Sequence, residues 1–251
     1  MLAYQWHRDS GIPLVFLHGL LGSQQDWQQV ICLLQKNPQI RPLTLDLPCH
    51  NQSQHIDCRS FSDVRQQLYS TLNTLIQEPF YLVGYSLGGR IALDYLHHQE
   101  QANLLGVVLE GANIGLQSEQ ERQTRWLNDQ HWAKRFRTEP LRNVLEDWYQ
   151  QTVFADLDIQ TRADFIQKRQ DNCGEKIAQM LEATSLAKQP FFDCKTRNDL
   201  TFFIGEKDQK FRQMVEKHHL PYQLILNAGH NAHQQSPDLF VKNLLAFIER
   251  K

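Results

Sequence analysis

The sequence predicts a fold of the α/β class: a mostly parallel central sheet flanked by helices, with an inserted helical lid. Three observations predict it. Short apolar runs near residues 12–19, 40–47, 80–83, 104–110 and 200–205 lack the alternation of half-exposed strands, so they suit strands buried on both faces. Stretches with an apolar period near 3.6 separate them. Between residues 114 and 189 strand signals vanish, and helical stretches rich in arginine and tryptophan follow one another. The 251 residues suffice for one α/β core plus such an insertion. The expected division is a core of residues 1–113 and 190–251, with residues 114–189 forming a helical cap over the C-terminal ends of the strands.

Composition narrows the function. The chain is 41% apolar and 22% charged, as in soluble globular proteins, with a formal net charge of -2. No charge bias calls for nucleic acid or an anionic membrane surface. The first residues form no apolar signal core, and the longest apolar runs are too short to cross a bilayer. The expectation is a cytoplasmic protein with no membrane insertion. Five cysteines (Cys32, Cys49, Cys58, Cys173, Cys194) at irregular spacing, with no C-x-x-C, read as reduced thiols.

Taken in order, the run at residues 12–19 ends in His18-Gly19-Leu20-Leu21-Gly22-Ser23. Ser23 can cap a helix to about residue 36, with Trp27, Val30, Ile31 and Leu34 on one face. A strand over residues 40–47 runs into the polar loop Asp46-Leu47-Pro48-Cys49-His50. Residues 60–76 form a helix, which Pro79 ends. The next strand stops at Gly84-Tyr85-Ser86-Leu87-Gly88, followed by Gly89, Arg90 and an apolar-periodic helix. Residues 104–110 form a buried strand. Helices are expected at residues 118–137, 140–150, 159–170 and 175–187. A strand at residues 200–205, a helix at 211–219, a short strand at 222–226 and a helix at 237–249 complete the chain.

Gly84 to Gly88 has the G-x-S-x-G spacing of a nucleophile elbow. The turn holds its serine in strained backbone, so the positions two before and two after must lack a side chain. Ser86 then stands above the sheet at a helix N-terminus, where negative charge is favoured. Asp208 and His230 follow the ends of later strands, giving the order Ser, Asp, His. Imidazole can take the serine proton near neutral pH, and the aspartate fixes its tautomer. The amides of Leu20 and Leu87 stand where an oxyanion hole belongs. Arg90, one helical turn beyond Ser86, suits a carboxylate-bearing substrate, and lid arginines can add contacts. The pairs His97-His98 and His218-His219 are poor metal candidates, because adjacent residues do not share a helix face. The tryptophans read first as lid core.

Together these stretches resemble the 2-succinyl-6-hydroxy-2,4-cyclohexadiene-1-carboxylate (SHCHC) synthases of menaquinone biosynthesis, lyases of the α/β-hydrolase fold. The resemblance rests on Val15-Phe16-Leu17-His18-Gly19, Asp46-Leu47-Pro48, Leu82 to Arg90, Gly115-Leu116-Gln117, Arg135-Phe136 and Thr138-Glu139-Pro140-Leu141. It continues through Asp147-Trp148-Tyr149-Gln150-Gln151, Met180 to Ala187, Gly205-Glu206, Asp208, Lys210-Phe211-Arg212 and Ala228 to His233. The lid stretches are the specific ones, since the whole superfamily shares the triad motifs. The resemblance implies that Tyr85, Arg90, Arg125, Trp148, Arg169 and Lys210 line the substrate site, with Arg122 an alternative to Arg125. It implies no metal and no organic cofactor. Cys49 departs from the family's usual glycine after Asp-Leu-Pro. The implied substrate, SEPHCHC (2-succinyl-5-enolpyruvyl-6-hydroxy-3-cyclohexene-1-carboxylate), is a small polycarboxylate that loses pyruvate after Ser86, assisted by His230 and Asp208, removes a ring proton. A serine hydrolase acting on an ester, thioester or C–C bond is the alternative on the same fold. A non-catalytic ligand receptor is a third reading.

Overall fold

The computed structural model describes residues 1–98 and 103–250. Among them, seven strands form one sheet: β1 (Tyr4–Trp6), β2 (Ile12–Leu17), β3 (Ile40–Leu45), β4 (Phe80–Tyr85), β5 (Leu104–Glu110), β6 (Leu200–Gly205) and β7 (Tyr222–Ile225). Their spatial order is β1-β3-β2-β4-β5-β6-β7. Only β1 runs antiparallel, pairing Tyr4 with Leu45. This edge strand leaves no signal in the sequence. It is three residues long and largely exposed, so it carries no apolar run.

The inner parallel strands β2 to β6 are largely buried on both faces, and their period of two divides the core. Leu14 and Phe16 of β2 enter one apolar layer with Trp27, Val30 and Phe240. Val15 and Leu17 enter the other, with Leu68, Ile91 and Val215. β4 divides likewise, Tyr81 and Val83 against Leu82. Each fully buried large apolar side chain contributes about 1.5–3 kcal/mol by leaving water. Helices α1 (Gln28–Leu34) and α10 (Pro237–Glu249) cover the first face. Helices α2 (Phe61–Leu75), α3 (Leu87–His98) and α8 (Gln209–Lys217) supply apolar residues to the second.

Between β5 and β6 lie α4 (Glu119–Thr138), α5 (Leu141–Trp148), α6 (Ile159–Arg169) and α7 (Gly174–Ala183). They gather a third cluster around Trp132, Phe136, Val144, Tyr149, Phe165 and Ile177, and Leu21 joins it from the core. Capping explains their starts: Ser118 accepts from the Glu121 amide in a capping box, and Asp158 accepts from Thr161.

Two helices depart from expectation. The stretch after Ser23 opens with a 3-10 turn (Gln24–Trp27) before α1, and Asp26 closes a capping box back onto Ser23. The helix expected at residues 175–187 stops at Ala183, and a separate 3-10 turn spans Leu186–Lys188. Ser185 leaves the helical backbone region, with ψ 139, and its hydroxyl accepts the Ala187 amide at 3.2 Å, a local cap that starts the new turn, while it donates to Asp129 at 2.7 Å. A short helix, α9 (Ala232–Gln235), sits between β7 and α10.

Candidate active site

Ser86 occupies the turn between β4 and α3 with φ +50, a left-handed conformation rare for a residue with a side chain. Its flanking glycines allow that turn. A Cβ on Gly84 would lie 2.4 Å from the Gly88 carbonyl oxygen, and one on Gly88 2.4 Å from that of Leu17. The Ser86 amide is tied to the Glu110 carbonyl of β5 at 2.8 Å.

His230 follows β7 and is buried. Its Nδ1 lies 2.7 Å from Asp208 Oδ2. Asp208 also caps α8, accepting from the Phe211 amide at 3.3 Å, so the helix start orients the carboxylate. Phe211 stacks on the imidazole at 5.0 Å. Gly111 backs the ring: with φ +54, a Cβ there would meet His230 Cε1 at 2.7 Å. Packing thus fixes the ring with Nδ1 toward the carboxylate, which leaves Nε2 as the proton acceptor.

Ser86 and His230 line one cavity of about 130 Å³ with Arg90, Arg125, Trp148 and Lys210. An adjoining cavity of about 640 Å³ shares Gln151, Val153 and Lys210 with it. Arg90 is 9% exposed and has no carboxylate partner among the described residues. Its Nη1 donates to the Thr184 carbonyl at 2.7 Å, which the end of α7 leaves free, and to Gln189 Oε1 at 3.4 Å. Burial, then the charge of Arg125, lowers its pKa to about 9. Arg125 donates Nε to both oxygens of buried Asp129 at 2.8 and 2.9 Å. Lys210 is exposed as a whole residue, yet desolvation of its ammonium, then Arg125, lowers its pKa. Three mutually repelling cations converge beside the serine. Trp148 also packs edge-on to Trp132 at 5.0 Å, so it serves both the cavity and the lid core.

Two expected substrate contacts lie elsewhere. Tyr85 is buried with its ring against His230 (5.3 Å) and His233 (4.8 Å), and it is not among the residues lining this cavity. Burial, then Glu110, pushes its phenol well above its usual pKa, so it stays neutral. Arg169 is not brought to the cavity either. Its Nη2 donates to Asp26 Oδ1 at 2.7 Å, and both side chains are buried. The carboxylate that pairs with it belongs to the chain. Arg122 donates to the Ala187 and Gln189 carbonyls, so Arg125 is the arginine of α4 that lines the cavity.

Leu87 is the first residue of α3, so its amide has no acceptor within the helix. Leu20 lies in a turn closed by the Gly22 amide on the Gly19 carbonyl at 3.0 Å. Two histidines brace that turn. His18 holds Gly19 O through Nδ1 at 2.7 Å and accepts the Leu47 amide on Nε2 at 2.9 Å. His50 holds Pro48 O through Nδ1 at 2.8 Å and accepts the Leu21 amide on Nε2 at 3.1 Å. Burial lowers their pKa values to about 4 and about 3, so both are neutral. A third buried histidine, His233, packs on Tyr85 and meets both oxygens of Glu110 through Nδ1 at 2.9 and 2.8 Å. The bracing role of His50 is invisible in the sequence because its partner Leu21 lies 29 residues away. The pairing of His233 with Glu110 is hidden for the same reason, with Glu110 lying 123 residues away.

His97 and His98 donate or accept locally, at the Leu93 and Asp94 carbonyls. Among the described residues no group of His, Cys, Asp and Glu is arranged to hold a metal ion. No helix among them is long and apolar enough to cross a membrane.

Residues 12–236 match the family described as alpha/beta hydrolase fold. The chain is 43% identical over 247 residues to 2-succinyl-6-hydroxy-2,4-cyclohexadiene-1-carboxylate synthase of Yersinia pseudotuberculosis serotype O:1b (strain IP 31758), covering 97% of this chain and 90% of the relative. The enzyme of the same name from Yersinia pestis (strain Pestoides F) is also 43% identical over the same shares. Among solved structures, MenH from S. aureus superposes with a TM-score of 0.87 at 24% identity, covering 100% of this chain and 99% of that one. A thermophilic esterase from Thermogutta terrifontis superposes with a TM-score of 0.81 at 17% identity, over 99% of this chain and 93% of that one. Both structural likenesses are likenesses of fold.

Proposed function

The chain belongs to the SHCHC synthases of the alpha/beta hydrolase fold family, and on that premise we propose that Ser86 works here as a general base in the elimination of pyruvate from SEPHCHC. The observation that carries the reading is the cluster of Arg90, Arg125 and Lys210 lining one cavity with Ser86 and His230. A simple ester gains nothing from three cations beside the serine. A ring bearing three carboxylates supplies partners to Arg90 and Lys210, while Arg125, held by Asp129, adds to the positive field, and each charge-assisted hydrogen bond is worth about 1.5–3 kcal/mol.

In the proposed reaction His230 Nε2 takes the Ser86 hydroxyl proton while Asp208 stabilises the imidazolium. The serine oxygen takes the ring proton and regains a hydroxyl. Electrons move through the ring, the C–O bond to the enolpyruvyl group breaks, and His230 returns its proton to the leaving group. The Leu20 and Leu87 amides stabilise the charge on the oxygen conjugated with the carbanion. No acyl-enzyme forms. Trp148 bounds the ring, while Tyr85 and Arg169 support the site from behind.

The cavity at Ser86 is below the roughly 300–1,000 Å³ of sites for drug-sized ligands. We therefore take the substrate to extend into the adjoining cavity past Gln151 and Val153, beneath a lid formed by residues 114–189. Five free thiols fit a cytoplasmic location.

The test is pyruvate release from SEPHCHC beside hydrolysis of short-chain esters. The lyase reading expects pyruvate with the first, lost in His230→Ala, and little turnover of the second. Ester hydrolysis without pyruvate release would replace it with a hydrolase. Tight binding of SEPHCHC with no turnover, unchanged in Ser86→Ala, would replace it with a receptor.

A further inference from the structure

We propose that Cys49 and Cys58 form a peroxide-sensitive dithiol, a reversible modification site coupled to the turn that carries the oxyanion-hole amide. Their sulfurs lie 3.8 Å apart, and each residue is 1% exposed. Among the described residues none of the other three cysteines has a second thiol within hydrogen-bond reach: Cys32 and Cys173 are exposed, and Cys194 is buried. The loop between the pair is already closed on itself. The Cys49 amide donates to the Ile56 carbonyl at 3.1 Å, and the Cys49 thiol approaches the same oxygen at 3.5 Å. A disulfide needs an S–S distance near 2.05 Å, so the pair must close by roughly 1.8 Å.

The closure reaches two places. Cys49 has φ +65 and directly precedes His50, whose Nε2 accepts the Leu21 amide next to Leu20. Cys58 lies under α7: its sulfur is 3.3 Å from Met180 Sδ, and its carbonyl accepts from Gln179 at 3.1 Å. Drawing the sulfurs together therefore displaces the backbone beside His50 and disturbs its bond to the Leu21 amide.

Cys49 is the attacking sulfur. The hydrogen bond from Cys58, then nearby Lys176, lowers its pKa, while the same bond and burial push Cys58 up. Because α7 covers both sulfurs, the oxidant is small, hydrogen peroxide. The Cys49 thiolate attacks one peroxide oxygen, the O–O bond breaks, and the departing hydroxide takes the thiol proton to become water. Cys58 then attacks the sulfenic sulfur of Cys49, and the displaced hydroxide takes the Cys58 proton. Two thiols and one peroxide become one disulfide and two waters.

The experiment treats the full chain with hydrogen peroxide, blocks remaining thiols with N-ethylmaleimide, maps the peptides and measures pyruvate release. The expected result is a Cys49–Cys58 cross-link and a fall in kcat, up to the roughly 100-fold that loss of one oxyanion-hole donor costs, both reversed by dithiothreitol. Cys49→Gly and Cys58→Ala should lose the response, and Cys49→Gly suffices where the alanine variant folds poorly. Alkylated Cys49 and Cys58 with oxidation confined to Cys32 and Cys173 would overturn the site. A cross-link with unchanged kcat would overturn its coupling to the turn. Only the rate measurement rests on the lyase reading: a reduced enzyme that releases no pyruvate would contradict that reading, and the peptide map alone would then decide the site.

Discussion

The first hydrogen bond of α3 runs from the Arg90 amide to the Ser86 carbonyl at 3.0 Å. One helical turn thus presents both the proposed base and a buried cation with no carboxylate of its own among the described residues. Under the proposed mechanism Ser86 supplies the chemistry and Arg90 selects the charge of the substrate.

Arg90→Ala should lower kcat/KM for SEPHCHC by about 10- to 150-fold, the worth of one charge-assisted hydrogen bond. KM should carry most of the loss, because the carboxylate is bound before and during proton removal. Thermal stability should hold or rise, since a buried cation without a counter-charge is removed. Steady-state kinetics and a melting curve check both. A large loss of stability with unchanged KM would make Arg90 a structural residue.

Arg169 should behave oppositely. Its charge is buried against Asp26, 143 residues away in sequence. Arg169→Met or Asp26→Leu alone should cost about 3–5 kcal/mol, because each strands a buried charge. The double variant should recover much of it. Denaturant unfolding of the double-mutant cycle checks this, and additive losses would contradict the pairing.

The histidine brace sets an acid limit. His18 is neutral in the fold, with its pKa lowered by burial from 6.5 to about 4. Above pH 6.5 folded and unfolded chains bind the same number of protons there. Between pH 6.5 and 4 the unfolded chain binds more, so stability falls as pH falls through that window and levels off below it. The gap, at 1.36 kcal/mol per pH unit, is on the order of 3 kcal/mol. His50 acts in the same direction down to about 3, and its effect overlaps that of its neighbour. Urea unfolding at pH 7, 5.5 and 4.5 should show the fall, and His18→Gln should flatten it.

These contrasts separate what is local in the sequence from what is not. Ser86 and Asp208 were legible because each follows a strand whose apolar run is written in consecutive residues, and His230 because it completes the order Ser, Asp, His. Arg90 was legible because four residues along a helix is one turn. The partner of Arg169 was not, since nothing local ties residue 169 to residue 26. The same holds for the paired thiols, whose meeting depends on the path of the loop between them. Strand β1 was invisible because its stability comes from pairing with β3, not from burial of its own side chains.

The proposed mechanism stands or falls on whether Ser86 moves a proton without ever being acylated. Intact-protein mass spectrometry of enzyme quenched during a single turnover of SEPHCHC tests it most directly. The expected result is pyruvate formed on the enzyme with the Ser86 peptide unmodified throughout, and no pyruvate from Ser86→Ala. A covalent adduct on Ser86 that forms and decays at the rate of turnover would contradict it.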